Sequence, residues 1–468
     1  MGIILTLDIL AIAIVAFTAR SKGLENALPL AAFLFVVFPE ESKIAIPGLF
    51  DLTTQRIIVV TLFVLCAFTR KPNGLVPKRL PLAGGIVILS LWWILSAANS
   101  VVFTVSLKYV LSQILDLFLI YYIVARYVTK TRTVRNILCG LVAGVVVCCV
   151  FGVLEVYAHW TVMSLFPEMV HRSGTSGRVY VDMARGIRAQ STFGHPILFG
   201  SALAMAIPMA LYLVSSTRKP AQKLLLWSGL LLMFVCIYKT SSRGPWLALG
   251  LSLIALLASS KTRVRKYLIV VCLLAAFVLV ARPGVWQTIQ SDYLSTMNKN
   301  SSQGESYQYR FALYSLAAGE LGKSLPRAIW GYGPESFFFL GIVGEFNGRM
   351  MSYESCDSSM AALLIETGYI GLTIVLLLFY KALRRTYRAY RTLPSPENAI
   401  CMIFLVNIAT FCFMMTNVAI FGWGQENIML WIVMALAMIY PYLVRSERAK
   451  KSKSKPVRLA ELTPILVH

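Results

Sequence analysis

Apolar residues run along this chain in blocks of about 15–23, parted by short polar stretches, and that spacing predicts helices rather than strands. A helix needs about 20 residues, at 1.5 Å rise each, to cross a hydrocarbon core of about 30 Å. The blocks place spans near residues 2–18, 25–39, 56–69, 81–100, 105–128, 136–158, 193–214, 224–240, 245–260, 267–282, 358–380, 400–421 and 427–444. The second and third are the shortest. The expected fold class is all-α, a polytopic membrane protein of about 12–13 transmembrane helices with a long, partly helical extracytoplasmic loop. The expected organisation is N-terminal helices over 1–283, the loop over 284–357, C-terminal helices over 358–445 and a basic cytoplasmic tail over 446–468.

Composition narrows the class. With 57% hydrophobic and 14% charged residues, the chain has too little polar surface to cover a soluble core of this size. The net charge of +23 raises the question of nucleic acid, but the cations fall in short clusters between apolar blocks. Clusters occur at Arg20/Lys22, Arg70/Lys71/Lys78/Arg79, Lys130/Arg132/Arg135, Arg218/Lys219/Lys223, Lys261/Arg263/Arg265/Lys266 and Lys381/Arg384/Arg385/Arg388/Arg391. They occupy alternate loops, as the positive-inside rule requires, so no nucleic-acid partner is expected. The rule puts the N-terminus outside and the basic C-terminus in the cytoplasm, where it can meet anionic lipid. Eight of the nine cysteines lie in apolar blocks and only Cys356 in a loop, so neither a disulfide framework nor a CxxC metal site is visible. The first block lacks a basic flank and a cleavage signal and reads as a retained span. No internal repeat supports an inverted-repeat transporter.

Segments 40–55, 159–192 and 284–357 then face outward. The last is long and compositionally ordinary, which favours function over spacing. Its stretch from Tyr307 to Leu325 predicts a helix with Phe311, Tyr314, Leu316 and Leu321 available for an apolar face. Cations are scarce on that side, so those present need a reason. Arg188 lies in Gly-Ile-Arg-Ala-Gln-Ser-Thr-Phe-Gly-His-Pro before the seventh span, Arg243 in the tight turn Thr-Ser-Ser-Arg-Gly-Pro, and Arg310 in the long loop. Guanidinium is permanently charged and binds phosphate or pyrophosphate bidentately. Snorkelling to lipid phosphates and local salt bridges are the alternatives.

Asp357 stands where the long loop re-enters the apolar region, and reads either as a general base for a hydroxyl or as a helix N-cap. Glu366, nine residues on, projects about 180° away on an ideal helix, and inside a span it needs a partner or a hydrated cavity. Lys108 and Asp116, eight apart, share a helix face and read as an internal pair. His195 before Pro196 is an isolated histidine. No metal-ligand spacing and no Walker A loop is present, so neither a metal nor any other cofactor is expected.

Four pieces carry a resemblance: Arg188 with Ser191-Thr192-Phe193-Gly194-His195-Pro196, then Ser242-Arg243-Gly244, then Gly331-Tyr332-Gly333-Pro334, and last Asp357 through Glu366-Thr367-Gly368 to Ile370-Gly371-Leu372. Their order and spacing resemble the O-antigen ligase and Wzy-type polymerase superfamily of bacterial envelope glycosyltransferases. The resemblance implies metal-independent transfer from an undecaprenyl-pyrophosphate-linked oligosaccharide donor to an acceptor glycan, in the bacterial cytoplasmic (inner) membrane with the active site on the periplasmic face. It assigns the pyrophosphate to Arg188, Arg243 and Arg310, catalysis to Asp357 and Arg243, and support to Glu366, His195 and Tyr332. A chain-length regulator or a flippase would be a protein partner. Ligases of this family carry His-Asn nine residues before the glutamate, where this chain has Asp357-Ser358. That departure favours a polymerase of O-antigen or exopolysaccharide repeats over a ligase acting on lipid A core. A lipid-linked glycan flippase and a cell-wall glycan polymerase are the rival readings.

Overall fold

The computed structural model describes residues 2–39, 42–44, 46, 50–69, 79–166, 178–183, 185–259, 264–281, 283–298, 301–353, 355–422 and 424–453. His171, His468, the clusters Arg70/Lys71/Lys78 and Lys261/Arg263, and the tail beyond Lys453 lie outside the described residues.

The apolar blocks form α1 (Gly2–Lys22), α2 (Leu24–Val37), α3 (Thr54–Ala67), α4 (Ala83–Ala98), α5 (Phe103–Gln113), α6 (Leu119–Tyr127), α7 (Thr131–Ala158), α8 (Pro196–Ser216), α9 (Pro220–Lys239), α10 (Arg243–Ala258) and α11 (Val264–Ala281). The loop region supplies α12 (Pro283–Met297), α13 (Ser302–Gly322) and α14 (Leu325–Trp330), and α15 (Ser359–Thr392), α16 (Asn398–Met415) and α17 (Gly424–Lys453) complete the bundle. Among the described residues three two-stranded antiparallel hairpins sit in connecting segments: β1 (Lys43–Ile44) with β2 (Leu52–Thr53), β3 (Val181–Asp182) with β4 (Gly186–Ile187), and β5 (Val343–Phe346) with β6 (Arg349–Ser352).

Every expected span meets a helix, α5 and α6 forming one passage through a π turn at Ile114–Phe118. Among the described residues eight passages are long and apolar enough to cross a membrane, while α2, α3, α4 and α10 are shorter apolar helices of 10–17 residues. The chain is an all-α polytopic membrane protein. Its helices α8 and α17 are enclosed on nearly every side and form the axis of the bundle. They can be apolar all round because protein, not lipid, surrounds them.

Polar ties identify two ends. At one end Glu25 accepts from the backbone of Thr129 and Lys130, Thr131 Oγ1 donates to Glu447 at 2.8 Å, and Arg448 pairs with Glu397 at 2.9 Å. The described basic clusters gather there. At the other end the Phe38 carbonyl accepts from Gln55 and Gln425, and Gln425 also donates to the Thr192 carbonyl. The long loop packs on this second end.

Two expectations change. Asp116 is paired with Arg56, not Lys108: Arg56 Nε and Nη2 reach its two oxygens at 2.9 and 2.6 Å. Spacing along one helix could not reveal a partner on another. In α13 the buried face is Leu313, Ala317 and Leu321, with Phe311 61% exposed. Tyr314, Leu316 and Leu321 pack inward as expected and Phe311 does not, because the face toward α15 follows the four-residue ladder from Leu313.

Candidate active site at the loop end

The first layer of the site is a clasp around the turn between α9 and α10. Arg188 is 3% exposed, donates from Nε to the Thr240 carbonyl and from Nη2 to Ser242 Oγ, both at 2.8 Å, and from Nη1 to Asp182 at 3.2 Å. Its guanidinium also lies over the Tyr180 ring, 5.3 Å from the centroid. Burial and the neighbouring Arg185 lower its pKa, while Tyr180 and Asp182 raise it. So enclosed a cation cannot snorkel; it fixes the turn that presents Arg243 as the first residue of α10. Ser242 occupies the N-cap position without capping, because its hydroxyl serves Arg188 and the Thr240 carbonyl.

Arg185 is a residue that the sequence reading missed. It pairs with Asp182 at 3.3 Å and donates to the Ser241 carbonyl at 3.0 Å. Its charge is felt by both Arg188 and Arg310, so it stands between the two loops. The scarcity of outward cations that singled out Arg188 applies equally to Arg185, three residues earlier.

The second layer comes from the long loop. Tyr314 donates from its hydroxyl to the Thr416 carbonyl at 3.0 Å and shares a 2.8 Å hydrogen bond with Ser358 Oγ, and Tyr309 donates to the Ser355 carbonyl at 2.8 Å. These bonds pin α13 across the start of α15 and bring Arg310 opposite Asp357. Burial lowers the Arg310 pKa, Asp357 raises it, and Arg185 lowers it again. Among the described residues, the buried Arg310 Nε has no hydrogen-bond partner. Such an orphaned donor on a cation is expensive unless something else completes it.

Asp357 is not the helix cap. Ser358 is, accepting from the Ala361 N–H at 3.4 Å, so Asp357 precedes the helix and its carboxylate is released from that role. Among the described residues, no three His, Cys, Asp or Glu side chains gather as a metal site.

Gly331-Tyr332-Gly333 and Glu366-Thr367-Gly368 prove to be two halves of one joint. The N–H groups of Tyr332 and Gly333 donate to the carbonyls of Ile365 and Glu366 at 3.0 and 2.9 Å. Gly368, at φ 69° and ψ −178°, breaks α15 and frees those carbonyls. The Glu366 carboxylate accepts from the backbone N–H groups of Glu335 and Phe337. Ser96 Oγ donates to the carbonyls of Trp330 and Glu366 at 2.7 and 3.0 Å, and Trp92 Nε1 to that of Thr367 at 3.0 Å. Glu366 and Asp357 therefore look at different groups. His195 caps α8, its Nδ1 accepting from the Ile197 N–H at 3.2 Å, and Glu155 accepts from the backbone of Gln190 and Ser191 at 2.9 and 2.8 Å.

Residues 228–376 match the family described as O-antigen ligase. The matched segment runs from α9 into α15, taking in Arg243, Arg310, Tyr332, Asp357 and Glu366 and leaving Arg188 and His195 upstream. No curated protein matches the chain. The motifs and the matched segment agree: over residues 228–376 this chain is similar to the O-antigen ligases, which supports its place in the O-antigen ligase and Wzy-type superfamily.

Proposed function

We propose that this protein transfers glycan from an undecaprenyl-pyrophosphate-linked donor to the hydroxyl of an acceptor glycan, extending O-antigen or exopolysaccharide repeats. Similarity to the O-antigen ligases supports glycan transfer of the ligase or polymerase type in a membrane. The observation that carries the finer reading is the facing pair of Arg310, whose buried Nε lacks a partner among the described residues, and Asp357, which leaves the cap of α15 to Ser358. A diphosphate leaving group completes the first, and an acceptor hydroxyl suits the second.

In this reading the acceptor oxygen attacks the anomeric carbon as Asp357 takes its proton. The bond from that carbon to the diphosphate oxygen breaks, and the diphosphate leaves with the electron pair. Arg243 and Arg310, with Arg185 behind them, stabilise the charge that gathers there. Arg188 acts by holding the Arg243 turn. One direct displacement inverts the anomeric centre. Arginine charge alone meets the leaving group's demand, so the transfer is metal-independent in this scheme. The reaction takes place on the extracytoplasmic face of the cytoplasmic membrane.

A second reading, ligation to lipid A core, is favoured by the description of the matched family. Purified protein given undecaprenyl-pyrophosphate oligosaccharide separates the two. Products longer by whole repeats support polymerisation. Glycan on added lipid A core supports ligation, and no transfer to either acceptor overturns both.

A further inference from the structure

At the end of the bundle opposite the arginine clasp lies a cavity of about 450 Å³, open between α4, α15 and α17. That volume falls within the range of small-molecule sites, about 300–1,000 Å³. Arg79, Lys381 and Arg385 line it together with the Tyr442 ring. Among the described residues none of these three cations is paired with a carboxylate, although other cations at this end are: Arg448, for example, pairs with Glu397. The remaining wall is apolar, built by Ile88, Ile374 and Leu377 on helix faces that look outward from the bundle. Ile88 is 56% and Leu377 49% exposed, so the apolar wall continues onto the lipid-facing surface. Gly84 narrows nothing, since a Cβ there would meet no atom within 4 Å, and the mouth stays open beside the cations.

Three uncompensated cations at the head of an apolar groove match an amphiphile with an anionic head. A soluble anion would use the cations but not the groove. A zwitterionic lipid would use the groove but would bring its own cation against Arg79, Lys381 and Arg385. We propose that this cavity binds one anionic glycerophospholipid, its phosphodiester held by Arg79, Lys381 and Arg385 and its acyl chains lying along Ile88, Ile374 and Leu377. Basic pockets between membrane helices hold anionic headgroups in this manner. The site is separate from the transfer chemistry and fixes α4 against α15, the two helices that also carry the Trp92 and Ser96 contacts to the Glu366 joint.

Native mass spectrometry of the full-length protein in detergent tests the proposal, with phosphatidylglycerol and phosphatidylcholine as probes. The expected result is one phosphatidylglycerol retained per chain and no retained phosphatidylcholine. Lys381→Ala with Arg385→Ala should weaken retention about 30-fold, each surface cation contributing comparably. Arg388→Ala with Arg391→Ala, on the same helix but outside the cavity, should leave retention unchanged, and Lys381→Arg with Arg385→Lys should preserve most of it. Equal loss in the two alanine pairs would mean diffuse charge attraction and overturn the site. Equal retention of phosphatidylcholine, or displacement of the lipid by millimolar inorganic phosphate, would overturn the anionic-lipid assignment.

Discussion

The carbonyl oxygen of Ile329 occupies the space that a side chain on Gly368 would need: a Cβ built there would stand 2.2 Å from it. The break in α15 and the end of α14 are thus in direct contact. A Cβ on Gly331 would meet the Glu366 carbonyl at 2.3 Å from the other direction. Gly368→Ala must either abandon its φ of 69° or push α14 away. Strain of this kind costs about 1–3 kcal/mol. The thermal midpoint in detergent should fall and transfer should be impaired. Gly319→Ala, where no atom lies within 4 Å, should change neither. A Gly368→Ala protein with wild-type midpoint and activity would show that the joint is dispensable.

Asp357 and Ser358 are adjacent and should fail in different ways. Ser358→Ala removes the cap of α15 and the Tyr314 contact, and should cost about 1 kcal/mol of stability. Asp357→Asn keeps the shape but loses the base and the charge facing Arg310. Transfer should drop by about 10²–10⁴-fold with the midpoint nearly unmoved. If Asp357→Asn turns over at the wild-type rate, the proton goes elsewhere.

The sequence made the spans legible because hydrophobic blocks of helical length have few alternative meanings, and a bilayer forbids unpaired backbone. It also pointed to Arg188, Arg243 and Arg310, since a cation on the wrong side of the positive-inside pattern stands out, and to Asp357, which stands where the long loop re-enters the apolar region. What it could not reveal were partners between helices. Glu366 was expected to need a partner or a hydrated cavity, but only the fold could name that partner as the backbone of Glu335 and Phe337. Asp116 looked like the partner of Lys108 until the π turn at Ile114–Phe118 brought it to Arg56. Arg185 was passed over because its role depends on β3 and β4 folding back so that Asp182 holds both arginines.

Arg188 reaches three acceptors in three directions, a geometry that a lysine ammonium on a flexible stem cannot reproduce. Arg188→Lys should therefore lower kcat for transfer by about tenfold or more, by loosening the Arg243 turn. Arg310→Lys should act differently, raising KM for the lipid-linked donor while the fold stays intact. Interchanged effects in steady-state kinetics would reverse the two roles proposed here.

Cys356 is the cysteine of the long loop, and burial pushes its thiol up to about 12. At pH 8 its thiolate is then about a thousandfold scarcer than that of an ordinary cysteine, and the thiolate is the reactive species. Peptide mapping after treatment with a water-soluble maleimide should find Cys356 unmodified in the native protein and fully modified after denaturation in detergent. Rapid native labelling would mean that the segment before α15 opens, and with it the Arg310–Asp357 arrangement.

In the Arg56–Asp116 pair the arginine is buried and the aspartate half-buried among helices, with Arg56 also donating to the Asp51 carbonyl and lying 4.9 Å from the Phe50 ring centroid. Removing one partner strands the other, so Asp116→Asn should lower stability by about 3–5 kcal/mol. Replacing both by apolar residues, Arg56→Met with Asp116→Leu, removes the stranded charge and should recover most of the loss. Transfer activity after that recovery is the informative readout. Its two hydrogen bonds tie α3 to the π turn. The double variant should therefore regain both midpoint and activity. Recovered stability with activity still abolished would assign the pair a part in the reaction itself.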